Sequence, residues 1–385
     1  MTSRGHVEIA GAGLAGLTAA TALAQRGWSV RVHERGSALR EIGAGIYLWE
    51  NALRALEDIG AYDDATRNAE HVRNPELRDH RNRVLQREWL REGRLCTVAR
   101  RELHAALATA AEKAGVEVVT GSPVDGATPE GRLRLLDGTE YEADLVIGAD
   151  GVFSRVRETL GLTKQITNLG DGGGRHMIKR TEDDPVDGVI EEWNAGRRIG
   201  IVPCSPDQTY IFLCCPADDA AGVRQQPFER QTWIDSFPEF RSQLERIPDD
   251  PEGRWASFTD VVVSKWSRGR AALIGDAAHA MSPNLGQAAC VAMMNSVALA
   301  QALDAHDIDT ALEVWERSER PVIDRVQRYS RYYGTIGTRW PQGLLDVRSA
   351  LVWGLGASKA AQRRVQSAAL YFPSLDAGLA PASSR

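Results

Sequence analysis

The 385-residue sequence predicts a mixed α/β fold in which a second β-sheet is inserted into a domain assembled from separated segments. Three observations predict it. Residues 6–34 have the pattern of a strand, a glycine-rich turn, a helix and a strand. Two later apolar strands, at 144–147 and 271–274, each lead into a turn that contains glycine and aspartate. Residues 189–215 contain short alternating segments, which are typical of antiparallel strands.

The first motif is "HVEIAGAGLAGLTAATALAQRGWSVRVHE" near the start of the chain. Strands are expected at 6–10 and 29–33, with a helix at 14–26 between them. The apolar stretch 9–24 follows a short basic start and ends in Ala-Leu-Ala, so it could also pass for a signal peptide. The glycine spacing inside it favours a nucleotide-binding turn instead.

Three glycines stand at GxGxxG spacing in this motif, and an acidic residue follows the second strand. Gly11 permits a tight turn, Gly13 lets the backbone approach a pyrophosphate, and Gly16 lets the helix pack closely on the strand. The helix N-terminus then presents free N–H groups to the phosphates, and Glu34 can accept hydrogen bonds from a ribose diol. The motif predicts a Rossmann-like unit and leaves NAD and FAD both open.

Two later motifs favour a flavin. "EYEADLVIGADGVFSRVRETLG" contains Asp150, and "RGRAALIGDAAHAMSPNLGQAA" contains Asp276. Together with the first motif and with Arg100, which opens an intervening helix, they resemble the single-component FAD-dependent aromatic hydroxylases of the para-hydroxybenzoate hydroxylase type. The resemblance covers about residues 5–335. It implies FAD as the bound cofactor and NADH or NADPH as the co-substrate.

The resemblance also implies where FAD is held. Glu34 would bind the adenosine ribose, Arg100 would lie near the ribityl chain and the pyrophosphate, Asp150 would serve both FAD and the nicotinamide donor, and Asp276 would hold the ribityl hydroxyls. Residues 283–288 would lie under the isoalloxazine ring. The other cofactor-binding residues that the resemblance implies are Gly11, Gly13, Leu14, Ala15, Gly16, Arg35, Arg40, Gly45, Val124, Gly275, Pro283, Gly286, Gln287 and Ala288.

The third motif also contains His279 and Cys290, whose side chains could take part in acid–base chemistry. Both are more simply interpreted as packing residues beside a cofactor-binding turn. The family usually carries glycine where this chain has Ala288. Because alanine restricts the backbone more than glycine does, this turn is expected to use backbone angles that alanine tolerates.

"GAGIYLWENALRALEDIGAYDD" and "QAACVAMMNS" look like a subgroup of the family, the oxygenases 2-methyl-3-hydroxypyridine-5-carboxylate oxygenase and 5-pyridoxate dioxygenase. This resemblance implies a substrate pocket formed by Tyr47, Arg175, Arg198 and Tyr210. Of these, Tyr210 and Arg198, together with Pro283, would serve catalysis. The alternative is that the arginines and tyrosines are surface or core residues. An arginine in a closed pocket needs an anionic partner, so we expect a small anionic aromatic substrate.

The reaction implied is that of an oxygenase that uses O₂ and NAD(P)H, acting through a flavin C4a-hydroperoxide on a hydroxylated aromatic or heteroaromatic ring. Hydroxylation with ring opening and simple ring hydroxylation both remain open. No metal site is expected. A flavin-dependent halogenase would carry a Trp-x-Trp-x-Ile-Pro signature, which this chain lacks. An NAD-dependent Rossmann dehydrogenase leaves the Asp150 and Asp276 motifs without a role. A non-enzymatic flavoprotein scaffold is the third alternative.

The predicted FAD-binding domain comprises residues 1–70, 97–170 and 265–335, and the predicted substrate domain comprises 71–96 and 171–264. Residues 336–385 are expected to form a helical segment and a tail. Within it, 343–369 could cap the substrate domain or make a dimer contact.

The net charge of −6 argues against nucleic-acid binding. Outside the first motif, no apolar run is expected to approach the roughly 18 residues that a membrane span needs. Five cysteines without a CxxC spacing are consistent with a reducing cytoplasm. A monomer or a homodimer is expected.

Overall fold

The computed structural model describes residues 4–39, 44–87, 92–251 and 255–373. Its strands are β1 (His6–Ala10), β2 (Ser29–Glu34), β3 (Gly45–Trp49), β4 (Glu70–His71), β5 (Glu76–Arg78), β6 (Val84–Gln86), β7 (Leu95–Ala99), β8 (Glu117–Thr120), β9 (Val124–Ala127), β10 (Arg132–Leu135), β11 (Glu140–Glu142), β12 (Leu145–Gly148), β13 (Thr163–Lys179), β14 (Ile190–Asn194), β15 (Arg197–Pro203), β16 (Gln208–Pro216), β17 (Ala256–Val263), β18 (Ser267–Arg268) and β19 (Ala271–Leu273).

Its helices are α1 (Leu14–Gln25), α2 (Glu50–Asp58), α3 (Tyr62–Thr66), α4 (Arg100–Lys113), α5 (Arg155–Thr159), α6 (Arg230–Ser236), α7 (Arg241–Glu245), α8 (Asp276–His279), α9 (Ala288–Ala305), α10 (Ile308–Thr338), α11 (Leu345–Ala357) and α12 (Lys359–Leu370). Short 3₁₀ turns occur at Pro238–Phe240, Pro283–Leu285 and Gln342–Leu344.

A six-stranded sheet holds the N-terminal motif, in the order β18-β19-β12-β1-β2-β8. All its pairs are parallel except the edge pair β18–β19. The strands are apolar because both faces are covered, and Val7 and Ile9 are fully buried. The strand, helix and strand predicted at 6–33 are confirmed, and the expected mixed α/β fold class with it.

A seven-stranded sheet lies beside the first, in the order β17-β13-β16-β15-β14-β5-β6. Only the β14–β5 pair is parallel. The predicted meander corresponds to β14, β15 and β16, and the β14–β15 turn places Ala195 at a φ of 49°. Strand β13 crosses the predicted domain boundary at 170/171. Its pairing with β17 extends from Thr163 to Gly173, with register shifts on the way, and its pairing with β16 covers residues 171–179.

Two three-stranded sheets complete the β-structure, β3-β7-β4 and β11-β10-β9. Helix α10, predicted over 311–333, is 31 residues long. The helical pattern predicted at 343–369 forms two helices, α11 and α12. Helix α12 packs against α2 and α10, and α11 packs against β6. The end of the predicted tail lies outside the described residues.

Helix α9 is long and apolar enough to cross a membrane by length and composition, and it is the one such helix in the described ranges. The expectation that no later run approaches this length was therefore wrong. Its position explains the composition, because 72% of the apolar window is buried inside the protein and it packs against α1, α2 and α10.

Candidate active site

One cavity of about 1900 Å³ runs from the carboxyl edge of the parallel sheet to the seven-stranded sheet and α10. Its lining includes the residues that follow β1, β2, β12 and β19. The carboxyl ends of parallel strands are where α/β proteins bind ligands. The volume exceeds the roughly 300–1,000 Å³ of a typical single-ligand pocket. The cavity can therefore hold a cofactor and a second molecule together.

The glycine turn after β1 has the geometry that its sequence predicts. Gly11 has a φ of 101°, and a Cβ there would lie 2.5 Å from the carbonyl oxygen of Ala149. A Cβ on Gly16 would lie 2.0 Å from the carbonyl oxygen of Gly11, so this glycine serves packing and does not line the cavity. A Cβ on Gly13 would meet nothing within 4 Å. Gly13 therefore leaves space in the cavity that the protein itself does not fill.

Helix α1 begins immediately after Gly13, and no side chain caps its first N–H groups. Leu14 and Ala15, in its first turn, line the cavity. An uncapped helix N-terminus with its positive dipole end is suited to phosphate oxygens.

Glu34, the last residue of β2, lines the cavity near the glycine turn. Its two carboxylate oxygens accept hydrogen bonds from the backbone N–H groups of Ala12, at 3.1 Å, and Gly36, at 2.8 Å. These bonds fix the carboxylate at the cavity wall with lone pairs remaining for a sugar diol. Arg35 lines the cavity beside it. Arg40, the other predicted cofactor-binding arginine here, lies outside the described residues.

Asp150 follows β12, and its two carboxylate oxygens have different environments. Its Oδ2 accepts hydrogen bonds from the backbone N–H groups of Arg155, at 2.7 Å, and Val156, at 3.2 Å, at the start of α5. Its Oδ1 is buried without a hydrogen-bond partner in the part of the chain that the structure describes. Such an atom is costly unless a ligand or water satisfies it. Val124 and Gly45, also predicted from the family, line the same cavity.

Asp276 begins α8 directly after Gly275, which has a φ of 58°. Its side chain lines the cavity and is accessible from that side. Burial by the surrounding protein raises the pKa of its carboxyl group, and the nearby charges of Arg100 and Arg175 limit that rise. The two predicted sugar-binding residues Arg100 and Asp276 are therefore neighbours in the structure.

The loop 283–288 forms one wall of the cavity. Gly286 has a left-handed backbone, with a φ of 62°, and its carbonyl oxygen accepts a hydrogen bond from Trp49 Nε1 at 3.1 Å. Ala288 is the first residue of α9, so its backbone is helical and alanine is tolerated there. Gln287 Oε1 is buried without a partner among the described residues. Pro283 lines the cavity, and its side chain has no proton to transfer.

Tyr47, Arg175 and Tyr210 meet at the other side of this loop and line the cavity. Tyr210 packs against Gly45, where a Cβ would lie 2.6 Å from the tyrosine Cβ. Burial raises the pKa of Tyr210 to about 12, and the neighbouring Arg175 guanidinium limits the rise. Within the described ranges no carboxylate forms an ion pair with Arg175, and its charge reaches Asp276 only at longer range. This end of the cavity therefore presents a positive charge beside a phenol.

Arg198 has a different environment from the one predicted for it. Its side chain is buried, and its Nη1 lies 3.4 Å from Glu191 Oε1, which is also buried. Its Nη2 donates to Asn284 Oδ1, and its guanidinium lies over the ring of Tyr333 at 5.6 Å. Glu191 supplies a counter-charge within the protein, so Arg198 by itself does not require an anionic substrate. Arg198 lines the cavity, and its hydrogen bond holds Asn284, which is next to Pro283 in the chain.

His279 and Cys290 do not line the cavity. His279 is buried against the ring of Trp266 at 5.6 Å, and burial lowers its pKa to about 4. Cys290 donates from its Sγ to the carbonyl oxygen of Tyr47 at 3.2 Å, and burial raises the pKa of its thiol to about 12. A neutral imidazole and a protonated thiol that both lie behind the wall are packing residues, as their sequence context indicated.

Several residues at this site were not predicted from the sequence. Glu191 accepts hydrogen bonds from Trp193 Nε1 at 2.7 Å and from the hydroxyl of Tyr333 at 3.0 Å, besides facing Arg198. Glu191 and Glu192 stand side by side in β14, and this pair of acids within a predicted strand was the one signal available. Trp49 and Tyr333 carried no signal, because an aromatic residue is equally common in any core.

Comparison with known proteins agrees with this geometry. The family model described as an FAD binding domain matches residues 4–327. The chain belongs to this FAD-binding family. The 2-heptyl-3-hydroxy-4(1H)-quinolone synthase of Mycobacteroides abscessus is 38% identical over 365 residues, which are 93% of this chain and 96% of that protein. The protein is an FAD-dependent monooxygenase of the aromatic hydroxylase type.

Solved structures give the same result. The tetrameric form of 2-methyl-3-hydroxypyridine-5-carboxylic acid oxygenase superposes with a TM-score of 0.85 at 36% identity, covering 96% of this chain and 97% of that one. The HpxO protein of Klebsiella pneumoniae, complexed with FAD and uric acid, shares the fold with a TM-score of 0.82 at 24% identity, over 94% and 96% of the two chains. The resemblance to the aromatic hydroxylases and to their hydroxypyridine oxygenase subgroup is thus confirmed.

The residues present fit FAD. Gly13 and the uncapped start of α1 leave space and donors for a pyrophosphate. The orphaned oxygens of Asp150 and Gln287 and the carboxylate of Asp276 provide acceptors along the same wall. A ligand with hydroxyl and N–H donors spread along its length satisfies this set.

Proposed function

We propose that the protein hydroxylates a ring carbon of a nitrogen heteroaromatic substrate, such as a 4-quinolone or a hydroxypyridine. Such a substrate carries an ionisable oxygen substituent on a neighbouring carbon of the ring, called the ring oxygen below. NADH or NADPH would be the electron donor and O₂ the oxygen source. The observation that carries the proposal is Arg175, which faces the cavity beside Tyr210 and has no carboxylate ion partner within the described residues. A positive charge in a partly enclosed site needs an anionic or strongly accepting group.

Arg175 would donate hydrogen bonds to the ring oxygen and favour its deprotonated form. A deprotonated ring oxygen pushes electron density to the neighbouring ring carbon, which is the atom that must attack an electrophilic oxygen. Tyr210 would orient the same oxygen as a neutral donor, because its raised pKa keeps the phenol protonated. Tyr47 would form the facing side of the ring site.

FAD, when bound, supplies the activation of oxygen. Under this proposal Glu34 holds the adenosine ribose, the start of α1 holds the pyrophosphate, and Asp276 with Arg100 holds the ribityl chain. The start of α9, which no side chain caps, would offer its free N–H groups to the flavin ring, where donors stabilise negative charge. The hydrogen bond from Trp49 to Gly286 and the contact between Arg198 and Asn284 hold the loop 283–288 in place.

A second candidate reaction is hydroxylation followed by ring opening of a carboxylated hydroxypyridine. The 36% identity to 2-methyl-3-hydroxypyridine-5-carboxylic acid oxygenase favours it, and Arg175 could pair with a substrate carboxylate through two parallel bonds. The 38% identity to a quinolone synthase favours the first candidate instead. The two differ in the product, because ring opening leaves a non-aromatic chain.

A substrate panel separates them. The purified, flavin-loaded protein would be offered 4-quinolones, hydroxypyridine carboxylates and hydroxybenzoates, with NADH and NADPH in turn. We expect ligand-stimulated NAD(P)H oxidation with a quinolone or hydroxypyridine, coupled to a product heavier by one oxygen. NAD(P)H oxidation that yields only hydrogen peroxide with every compound would contradict the proposal.

A further inference from the structure

The cavity does not end at the ring site. Besides Trp49 and Tyr333, its lining includes residues of α10, α11 and α12, some of which are partly exposed at the surface. We call this extension the apolar arm and define it by its lining residues Trp49, Ile336, Val352, Leu355 and Val365. Its outer wall, α11 and α12, lies beyond residues 4–327 that the family model matches. The arm is therefore partly built from a region outside the common family domain.

The walls of the arm are held in place by specific contacts. Arg348 of α11 is buried and donates to the carbonyl oxygens of Ala195, at 2.8 Å, and Gly337, at 3.1 Å. Gln86 Nε2 donates to the carbonyl oxygen of Val352 at 3.1 Å. These bonds fix α11 against the β14–β15 turn, against α10 and against β6.

Helix α12 is anchored in a similar way. Asn51 Nδ2 donates to the carbonyl oxygen of Ala368 at 2.9 Å, and Tyr371, just after the helix, donates to Glu319 at 2.8 Å. The arm thus has fixed walls on both sides.

The chemistry of the lining is apolar at both ends of the arm. Near the ring site, Val352 and Ile336 pack with Trp193 and Tyr333 in one hydrophobic cluster. At the mouth, Leu355 is 45% exposed and Val365 is 38% exposed. The polar lining residues on α12 are Gln362, Arg364 and Gln366, and among the described lining residues of this arm there is no carboxylate. Exposed apolar side chains at the mouth of a cavity mark a binding surface.

We propose that the apolar arm binds an aliphatic chain carried by the heteroaromatic substrate, so that α11 and α12 select substrates by chain length. This inference rests on the proposed function, because the ring must occupy the site beside Arg175 for its chain to enter the arm. The 2-heptyl group in the name of the Mycobacteroides abscessus relative is of the matching chemistry. A hydroxypyridine carboxylate without a chain would leave the arm unused.

The test measures binding of 4-quinolone and its 2-methyl, 2-pentyl and 2-heptyl homologues to the flavin-loaded protein, through the change in the flavin absorption spectrum. Each methylene that enters the arm should tighten binding by up to about fourfold, which corresponds to ~0.8 kcal/mol per buried CH₂. The variant Leu355→Trp fills the mouth and should abolish this dependence, so that 2-heptyl-4-quinolone binds no more tightly than unsubstituted 4-quinolone.

Leu351→Trp is the matched control. Leu351 lies one turn earlier on α11, is 42% exposed and does not line the cavity, so this variant should behave like the unmodified protein. Ala361→Trp, on α12, fills the arm from the other side and should repeat the effect of Leu355→Trp. Retained flavin content verifies that each variant is folded.

The outcomes separate the two proposals. Equal affinity for all homologues, with 4-quinolone still stimulating NAD(P)H oxidation, would contradict the role inferred for the apolar arm and leave the proposed function intact. The same result follows if Leu355→Trp retains the full chain-length dependence. If neither 4-quinolone nor any hydroxypyridine binds or stimulates oxidation, the proposed function fails, and the inference about the arm fails with it.

Discussion

The guanidinium of Arg198 lies 3.4 Å from the carboxylate of Glu191, and both side chains are almost completely buried. Removing one partner of a buried pair leaves an uncompensated charge, which typically destabilises a protein by about 3–5 kcal/mol. Arg198→Met should therefore lower the free energy of unfolding by an amount of this order, measured by denaturant titration. Arg198→Met combined with Glu191→Gln should recover much of the loss.

The loss in Arg198→Met should also depend on pH. Burial raises the pKa of Glu191 even with Arg198 present. Without the arginine, a carboxyl group with a raised folded-state pKa favours the folded state at low pH and loses that advantage as the pH rises through its pKa. The destabilisation should therefore grow with increasing pH. An unfolding free energy equal to that of the unmodified protein at all pH values, with only a higher KM, would show that Arg198 binds substrate directly.

For Arg175 we predict an effect on substrate binding and little effect on stability. Arg175→Met should raise the KM for the heteroaromatic substrate by about 10- to 100-fold, since hydrogen bonds to charged groups contribute about 1.5–3 kcal/mol. Flavin content and stability should change little. Arg224→Met, which removes a half-exposed arginine paired with Glu229, is the surface control. A KM that Arg175→Met leaves within twofold of the original would remove Arg175 from the substrate site.

Gly13 offers a test of the cofactor cradle that is independent of turnover. A methyl group at this position meets no protein atom within 4 Å, and the backbone φ of −76° is accessible to alanine. Gly13→Ala should therefore fold with unchanged apoprotein stability but bind FAD at least about tenfold more weakly, because the methyl group occupies space needed by the pyrophosphate. Gly343→Ala, also free of contacts, is the control. Equal FAD affinity in Gly13→Ala and the unmodified protein would place the pyrophosphate elsewhere.

Asp276→Ala should lose FAD during purification, because its carboxylate lines the cavity directly after Gly275, which lies close to Ala15 in the first turn of α1. His279→Gln, three residues later, should retain FAD and keep the same kcat profile between about pH 5 and 8. A histidine with a pKa of about 4 is neutral across that interval and contributes no titration. Stoichiometric flavin in Asp276→Ala would contradict the ribityl role, and a shifted kcat profile in His279→Gln would give the imidazole a part in the reaction.

Local sequence patterns predicted residues that the structure places together along the cofactor side of the cavity. The positions of Gly11, Gly13 and Asp276 depend on strand ends and tight turns, which are specified by neighbouring residues. Their meeting at one sheet edge then follows from parallel pairing. The presence of alanine at position 288 is also explained by the local backbone. A residue that begins a helix does not need the backbone angles that only glycine adopts easily.

The substrate side was predicted less well because it depends on packing between distant segments. Arg198 and Glu191 lie on paired strands. Tyr333, from the distant helix α10, contacts both of them, and Asn284 reaches Arg198 from another part of the chain. The apolar arm requires the placement of α11 and α12, whose helical pattern was visible in the sequence but whose docking surface was not.

Turnover under isotopically labelled molecular oxygen tests the central claim most directly. The flavin-loaded protein, NAD(P)H and a 2-alkyl-4-quinolone would be incubated with the labelled gas. The molecular mass of the organic product would then be measured by mass spectrometry. The account predicts a ring-hydroxylated product that contains one labelled oxygen atom. A product whose new oxygen derives from water, or complete conversion of the labelled oxygen to hydrogen peroxide with the ring unchanged, would contradict it.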